Sequence, residues 1–386
     1  MSPETKRNLK FALSAIFLFF ILVELGLHGA RFLYRLWKPS DVWKGSYIWS
    51  SYEGKEWVNG LFKETIEATT RGYNIFFTLW GGSEYRGKYV NIDSLGFRKT
   101  WHPTGEPLGK TKTIYVLGAS TTWGVGARDD YTIPSHLAKI LNKDGYRYEV
   151  YNYGTPASTF IQELTHLALL LREDHKPDYV IFYIGFNRIL EAYQRGPKAM
   201  GGLTNLGEKL EIQSDWDHIW VGLTGIFRRH CMICKTVKRT SAFLQRSKKD
   251  LEEVSSEYDE EEAKEVAREI VEYRLRTIEL LDNLSKAYGF KYAIFWQPSI
   301  FTEERLLKEE EKAGINPSFY EGDLARVFKY AIRRLNQKSV PHFYDLSQAL
   351  RGRQKPYYID FVHLNEEGNE IIAEKMGEIF EKEFLK

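Results

Sequence analysis

The amino-acid sequence predicts an α/β fold in three layers, α/β/α, with helices on both faces of a parallel β-sheet. Five short apolar segments have the length and the β-branched or aromatic content of buried strands, and helical patterns lie between them. Parallel strands need long crossover connections, usually helices, so this alternation favours a parallel sheet over an antiparallel one. In addition, polar residues suited to chemistry follow closely after several of the apolar segments.

The predicted elements occupy most of the chain after residue 110. The strands are predicted at 113–117, 148–153, 179–184, 292–296 and 342–346. The helices are predicted at 131–142, 160–172, about 260–287, 323–336 and 365–384. These elements predict one domain at 111–386, with a flavodoxin-like fold around a five-stranded parallel sheet and a helical insertion at about 189–259.

The N-terminal segment 11–30 is predicted to be a transmembrane helix. It is almost wholly apolar for about 17 residues, which is near the lower limit for a helix that spans a membrane, and Glu24 interrupts it. Basic residues in the tail 1–10 favour a cytoplasmic N-terminus, and no small-residue cleavage site follows the segment. The remainder of the chain is then expected on the extracytoplasmic side of the membrane. The alternative is a buried core helix.

Two further regions are expected beside the strands and helices. Residues 31–110 are rich in aromatic and turn-forming residues, which predicts a linker and a small extension with a short strand at 73–79. The insertion at about 189–259 is first basic and then acidic, which fits a helical cap over a cleft or a segment at the membrane surface. Its Cys231 and Cys234 are predicted to be packed apolar thiols rather than a redox pair or half of a zinc site.

Charge and motifs argue against several functions. The formal net charge is only +2, so no nucleic-acid partner is predicted. The glycine-bearing loop at 118–126 lacks the Lys of a phosphate-binding loop and the third Gly of a dinucleotide-binding motif. Thr122 stands where the Gly-x-Ser-x-Gly turn of α/β-hydrolases has its last Gly. No cluster of His, Cys and carboxylates indicates a metal site, so no metal or cofactor is predicted.

Polar residues follow the predicted strands at positions that a parallel sheet brings to one edge. Ser120 comes after the first strand, Gly154 after the second and Asn187 after the third. Asp360 and His363 lie in the loop after the fifth strand. Because ligands gather outside the carboxyl ends of parallel strands, a hydroxyl, an amide and an Asp–His pair can meet there. This combination indicates nucleophilic catalysis by serine.

These residues resemble the conserved blocks of the SGNH, or GDSL-like, hydrolase superfamily. The segment 118–122 is similar to the nucleophile block, 152–154 to the glycine block, 185–187 to the Gly-x-Asn block and 360–363 to the Asp-x-x-His block. The resemblance covers roughly residues 112–190 and 290–384 and implies the SGNH hydrolase fold. The Gly-Phe-Arg stretch at 96–98 also resembles membrane-anchored members of the superfamily.

The chemistry of the five positions gives each a predicted role. Ser120 is the predicted nucleophile, and it needs a base within hydrogen-bonding reach. His363 can accept its proton and return it to the leaving alcohol, while Asp360 stabilises the imidazolium. The N–H groups of Ser120 and Gly154 and the side-chain amide of Asn187 are the predicted oxyanion donors.

Two positions depart from the family pattern. Ala119 replaces the Asp of Gly-Asp-Ser, an Asp that takes no part in the triad. Arg188 stands where the family often has Asp after the Asn, and it is predicted to contact an anionic substrate.

The sequence as a whole predicts a membrane-anchored, extracytoplasmic serine esterase or O-acyltransferase. Its substrate is expected to be an acyl ester, with cell-envelope glycans or lipids as candidate classes. Hydrolysis and transfer use the same triad, so the sequence leaves both open. The alternative from another class is a catalytically inactive glycan- or lipid-binding module on the same fold.

Overall fold

The computed structural model describes scattered residues between 2 and 29, and then residues 51–70 except 53, 82–173, 176–195, 258–302 and 322–385. The chain divides into two compact units, Met1–Val42 with Asn205–Glu257 and Trp43–Thr204 with Tyr258–Lys386. In the first unit, the described residues belong to the N-terminal segment. All other described elements belong to the second unit.

Two small strands, β1 (Tyr85–Arg86) and β2 (Asn91–Ile92), pair with each other antiparallel. The main strands are β3 (Lys112–Gly118), β4 (Tyr148–Gly154), β5 (Tyr179–Ile184), β6 (Lys291–Trp296) and β7 (Phe343–Asp345). They form a five-stranded sheet in the order β4-β3-β5-β6-β7, and every pairing in it is parallel. The predicted α/β fold with a five-stranded parallel sheet is therefore confirmed.

Helices pack on both faces of the sheet. They are α1 (Val58–Thr70), α2 (Ser120–Trp123), α3 (Ile133–Leu141), α4 (Phe160–Arg172), α5 (Phe186–Arg195), α6 (Glu260–Tyr288), α7 (Asp323–Gln337) and α8 (Glu366–Phe384). Of these, α1 packs beside the sheet in separate apolar clusters. Alternate residues of β3 belong to different apolar clusters. Ile114 and Val116 share a cluster with α3 and α8, whereas Tyr115 and Leu117 share one with α4 and the C-terminal half of α6. The alternation follows from the two-residue period of a strand.

The region before the sheet contains a helix that the sequence analysis missed. Buried residues of α1 recur at helical spacing, namely Val58, Leu61, Phe62, Thr65 and Ala68. That spacing of three and four residues is the signal for a helix, and the surrounding turn-forming residues obscure it. The strand predicted at 73–79 lies outside the described residues.

Several expectations fall on parts of the chain that the structure leaves largely undescribed. The predicted transmembrane segment at 11–30 lies partly outside the described residues. Among the residues that are described, no helix is both long enough and apolar enough to cross a membrane. Cys231, Cys234 and most of the insertion at 189–259 also lie outside the described residues.

Candidate active site

Ser120 is held at the end of β3 by a tight turn. It is the first residue of α2, a short helix that ends at Gly124 with a φ of 96°. Gly118 makes the turn possible, because a Cβ there would lie 2.0 Å from Thr122 Oγ1 and 2.6 Å from the Tyr183 carbonyl oxygen. As the first residue of a helix, Ser120 has a backbone N–H with no partner within the helix.

His363 and Asp360 approach Ser120 from a loop that follows the last strand. His363 Nε2 lies 2.7 Å from Ser120 Oγ, although the two residues are 243 positions apart in the chain. His363 Nδ1 lies 2.6 Å from Asp360 Oδ2. The three side chains therefore form one continuous chain of hydrogen bonds.

The loop itself is shaped by Asp360 and anchored at the start of α8. Asp360 Oδ1 accepts hydrogen bonds from the backbone N–H groups of Val362 (2.9 Å) and His363 (2.8 Å). Asn365 then caps α8, since its Oδ1 accepts from the Gly368 N–H at 2.8 Å. Burial alone would raise the pKa of Asp360, but the facing His363 and these hydrogen bonds hold that pKa below its ordinary value. Asp360 is thus kept as a carboxylate.

Asn187 lies beside Ser120 in the same cleft. Its Nδ2 group donates a hydrogen bond to the Ser158 carbonyl oxygen at 2.7 Å. The amide nitrogen carries two hydrogens, so one remains for a ligand. This arrangement is compatible with the role predicted for Asn187 as an oxyanion donor.

The geometry of Gly154 does not favour its predicted role as an oxyanion donor. Its backbone N–H donates to Asn152 Oδ1 at 3.0 Å, so that hydrogen is already used. A Cβ at Gly154 would lie 2.2 Å from the Trp123 backbone nitrogen. Glycine is needed here because β4 and α2 pack closely. The oxyanion role of Gly154 stays a prediction, and it would require the N–H to leave Asn152.

Arg188 is buried at the start of α5 and lines the cleft. Its Nη1 lies 3.0 Å from Glu191 Oε2, and its guanidinium lies over the Tyr273 ring at 4.7 Å. Because an acidic neighbour already balances its charge, the predicted contact with an anionic substrate gains no specific support.

Arg98, from the Gly-Phe-Arg stretch, holds the loop that follows Ser120. Its Nε donates to Asp129 Oδ1 at 3.0 Å, and its Nη2 donates to the Ala127 carbonyl oxygen at 2.6 Å. Its Nη1 donates to the Trp123 and Gly124 carbonyl oxygens at 3.2 and 2.8 Å. Every nitrogen of this guanidinium is bonded, which fixes the backbone directly after α2.

A cleft opens beside Ser120. Its lining includes apolar residues and two charged residues that the sequence analysis did not select, Glu163 of α4 and Arg274 of α6. Both fall among the buried positions of their helices. A charged residue on the otherwise apolar face of a helix is unusual, and this pattern could have identified both residues from the sequence.

The described residues were also compared with the requirements of a metal site. Among the parts of the chain that the structure describes, no group of three or more His, Cys, Asp or Glu residues is placed to hold a metal ion.

Comparison with known proteins gave one family. The family model described as GDSL-like Lipase/Acylhydrolase matches residues 114–376. A search among curated proteins gave no match.

Solved structures similar to this chain include three enzymes with low sequence identity. A putative arylesterase from Agrobacterium tumefaciens str. C58 is 14% identical, with 70% of this chain and 99% of that chain covered and a TM-score of 0.39. The lipase Lip_vut3 from a goat rumen metagenome is 15% identical, with 69% and 96% covered and a TM-score of 0.38. The acetyl xylan esterase AlAXEase is 12% identical, with 69% and 98% covered and a TM-score of 0.35. Because these TM-scores are low, the assignment to a family rests on the family model.

Proposed function

Because this chain belongs to the GDSL-like lipase/acylhydrolase family, and is thus an ester-hydrolysing serine hydrolase, we propose that Ser120, His363 and Asp360 are its catalytic triad. The observation that carries the proposal is the pair of short contacts from Ser120 Oγ to His363 Nε2 (2.7 Å) and from His363 Nδ1 to Asp360 Oδ2 (2.6 Å). A nucleophile needs a base in reach, and the base needs an orienting partner. Both conditions are met without any movement of the chain.

The first half of the reaction forms an acyl-enzyme. Ser120 Oγ attacks the acyl carbon while His363 Nε2 removes the hydroxyl proton, and the Asp360 carboxylate stabilises the imidazolium. The tetrahedral intermediate then collapses, the ester C–O bond breaks, and His363 returns the proton to the leaving alkoxide. The products of this half are an alcohol and an ester of Ser120.

Two hydrogen-bond donors are proposed to stabilise the negative charge that develops on the carbonyl oxygen. These are the Ser120 backbone N–H at the start of α2 and the second hydrogen of Asn187 Nδ2. Loss of one such donor typically lowers turnover by about 10²- to 10³-fold. Gly154 is left out of this set because its N–H is donated to Asn152.

The second half releases the acyl group. Water activated by His363 gives a carboxylic acid, and this is the hydrolase reaction. A sugar hydroxyl in place of water gives a new ester, and this is the O-acyltransferase reaction. Both acceptors use the same catalytic residues. We propose hydrolysis as the activity, and transfer to a glycan hydroxyl as a second activity that the same residues could support.

The location is proposed from the sequence. We propose that segment 11–30 anchors the chain in a membrane and places the catalytic domain on the extracytoplasmic side, where envelope glycans or lipids are the candidate substrates. Support comes from exposed apolar side chains in the segment, among them Phe11 and Phe19. Truncation of residues 1–30 should move the protein from the membrane fraction to the soluble fraction; an unchanged distribution would contradict the anchor.

The triad is tested by pre-steady-state hydrolysis of p-nitrophenyl acetate. The wild type should release a burst of p-nitrophenol, and both Ser120→Ala and His363→Ala should lose the burst and the turnover. Ser94→Ala, a change at an exposed serine, is the matched control and should leave both unchanged. Normal turnover in Ser120→Ala would overturn the proposal, because another residue would then carry the reaction. Absence of turnover and burst in the wild type would also contradict it and would favour the inactive binding module.

A further inference from the structure

Two charged side chains, Glu163 and Arg274, line the cleft. We call this pair the polar notch. Glu163 is 3% exposed and Arg274 is 2% exposed, and both line the cleft that contains Ser120. Neither residue belongs to the triad or to the oxyanion donors. Burial of ionised groups is costly, so their presence beside the reacting serine calls for a partner.

Each member of the notch has a hydrogen-bonding position that no described residue fills. The Arg274 guanidinium lies over the Trp296 ring at 4.6 Å, but Arg274 Nη1 has no hydrogen-bond partner among the described residues. Glu163 Oε1 accepts from Ser158 Oγ at 2.8 Å, whereas its Oε2 has no partner among the same residues. The notch therefore offers one spare donor and one spare acceptor.

The two side chains influence each other without meeting. The charge of Arg274 lowers the pKa of Glu163 against the effect of burial, and Glu163 raises the pKa of Arg274 in the same way. No hydrogen bond or ion pair joins them among the contacts of the described residues. When Glu163 is ionised, a group that contacts both side chains must accept from a guanidinium and donate to a carboxylate. A hydroxyl does both, whereas a carboxylate supplies no hydrogen and a methyl group supplies neither.

The cleft also lies on a definable side of the reacting ester. The leaving alcohol must stand near His363 Nε2, because that atom supplies its proton. The lining residues include Ser120 and Asn187 but neither His363 nor Asp360. On this ground the acyl group is assigned to the cleft and the leaving alcohol to the side of His363.

We propose that the polar notch binds a hydroxyl carried by the acyl group, so that hydroxyacyl esters are preferred over unsubstituted esters of equal length. The Arg274 Nη1–H donates to the hydroxyl oxygen, and the hydroxyl hydrogen is donated to Glu163 Oε2. The inference rests on the proposed function, since it takes Ser120 as the atom that receives the acyl group.

The test compares kcat/KM for p-nitrophenyl esters of butyrate, 2-hydroxybutyrate, 3-hydroxybutyrate and succinate. At least one hydroxybutyrate should exceed butyrate by roughly tenfold or more, because hydrogen bonds to charged groups are the strong ones and an unfilled site rejects the analogue. No preference for either hydroxybutyrate would overturn the inference, and the notch would then hold ordered water only. Preference for the succinate half-ester would also overturn it, in favour of an anion site.

Variants identify the residues that set the preference. Arg274→Met and Glu163→Gln should each bring the ratio of hydroxybutyrate to butyrate kcat/KM down towards one. The matched controls Arg276→Met and Glu173→Gln change exposed residues of the same helical regions and should keep the wild-type ratio. If a notch variant fails to fold, the wild-type ratio still decides.

The two proposals fail in different ways. Butyrate hydrolysis that does not depend on Ser120 contradicts the triad. Hydrolysis that depends on Ser120 but shows no hydroxyl preference contradicts the notch alone.

Discussion

The loop behind Ser120 and the floor of the cleft beside it each enclose a buried arginine, and the two have opposite surroundings. Arg98 and Arg274 are both 2% exposed, and both lie over a tryptophan ring, Trp123 at 4.4 Å and Trp296 at 4.6 Å. Arg98 donates from every nitrogen to Asp129 and to three backbone carbonyls. Arg274 has an Nη1 without a partner among the described residues.

The difference separates a residue that holds the fold from one that is available to a ligand. A buried cation with all its donors used stabilises what it bonds, and its removal leaves other groups unpaired. A buried cation with a spare donor beside a reacting serine stabilises the fold less and can bind substrate. Three substitutions, at Arg98, Glu163 and Arg274, test this difference.

Arg98→Met should lower the free energy of unfolding by about 3–5 kcal/mol, because it breaks a buried ion pair and leaves Asp129 and three carbonyls without their donor. Urea unfolding measures the change. Arg86→Met, at a surface arginine whose side chain is 85% exposed, is the matched control and should change stability little. A loss at Arg98 no larger than that of the control would remove the contrast between the two regions.

Glu163→Gln should gain stability relative to the wild type as the pH rises. Burial raises the pKa of Glu163 from its ordinary 4.5 to about 7, against the hydrogen bond from Ser158 and the charge of Arg274. The native state thus holds a proton that the unfolded chain releases, so the wild type loses stability as the pH rises from about 4.5 to about 7, whereas Gln does not titrate. The difference in unfolding free energy should widen by about 2 kcal/mol between pH 5 and pH 8. Parallel pH curves for the two proteins would contradict a buried, ionising Glu163, and Glu173→Gln is the control that should give them.

Arg274→Met should change the free energy of unfolding by about 1 kcal/mol or less, because an apolar side chain of similar length replaces a cation with an unused donor. The same urea unfolding experiment measures it. A loss as large as that expected for Arg98→Met would show that Arg274 is part of the fold's support and would weaken its assignment to substrate.

The sheet was predictable because its signals are local. Each strand from β3 to β6 is a short, β-branched or aromatic run that ends at a small or polar residue, and each helix near it has an apolar face of period 3.6. The approach of His363 to Ser120 followed from topology, since parallel strands place their ends at one edge. The prediction needed the order of the elements and no knowledge of their packing.

Other features were not predictable, because they depend on the directions of hydrogen bonds and the distances between side chains. The spacing of residues along the sequence does not contain this information. The sequence placed Gly154 at the correct edge, but only coordinates show that its N–H is donated to Asn152. Glu163 and Arg274 are more than a hundred positions apart on different helices, and no pattern within either helix shows that both line one cleft. The short helix α1 had a periodic signal and was missed among turns.

The proposed mechanism requires a covalent acyl intermediate on Ser120, and labelling with a fluorophosphonate probe followed by mass spectrometry reveals whether Ser120 is the reactive nucleophile. We expect one adduct, located on Ser120, absent from Ser120→Ala and formed far more slowly in His363→Ala. An adduct on another residue, or ester hydrolysis that persists with no adduct on Ser120, would contradict it.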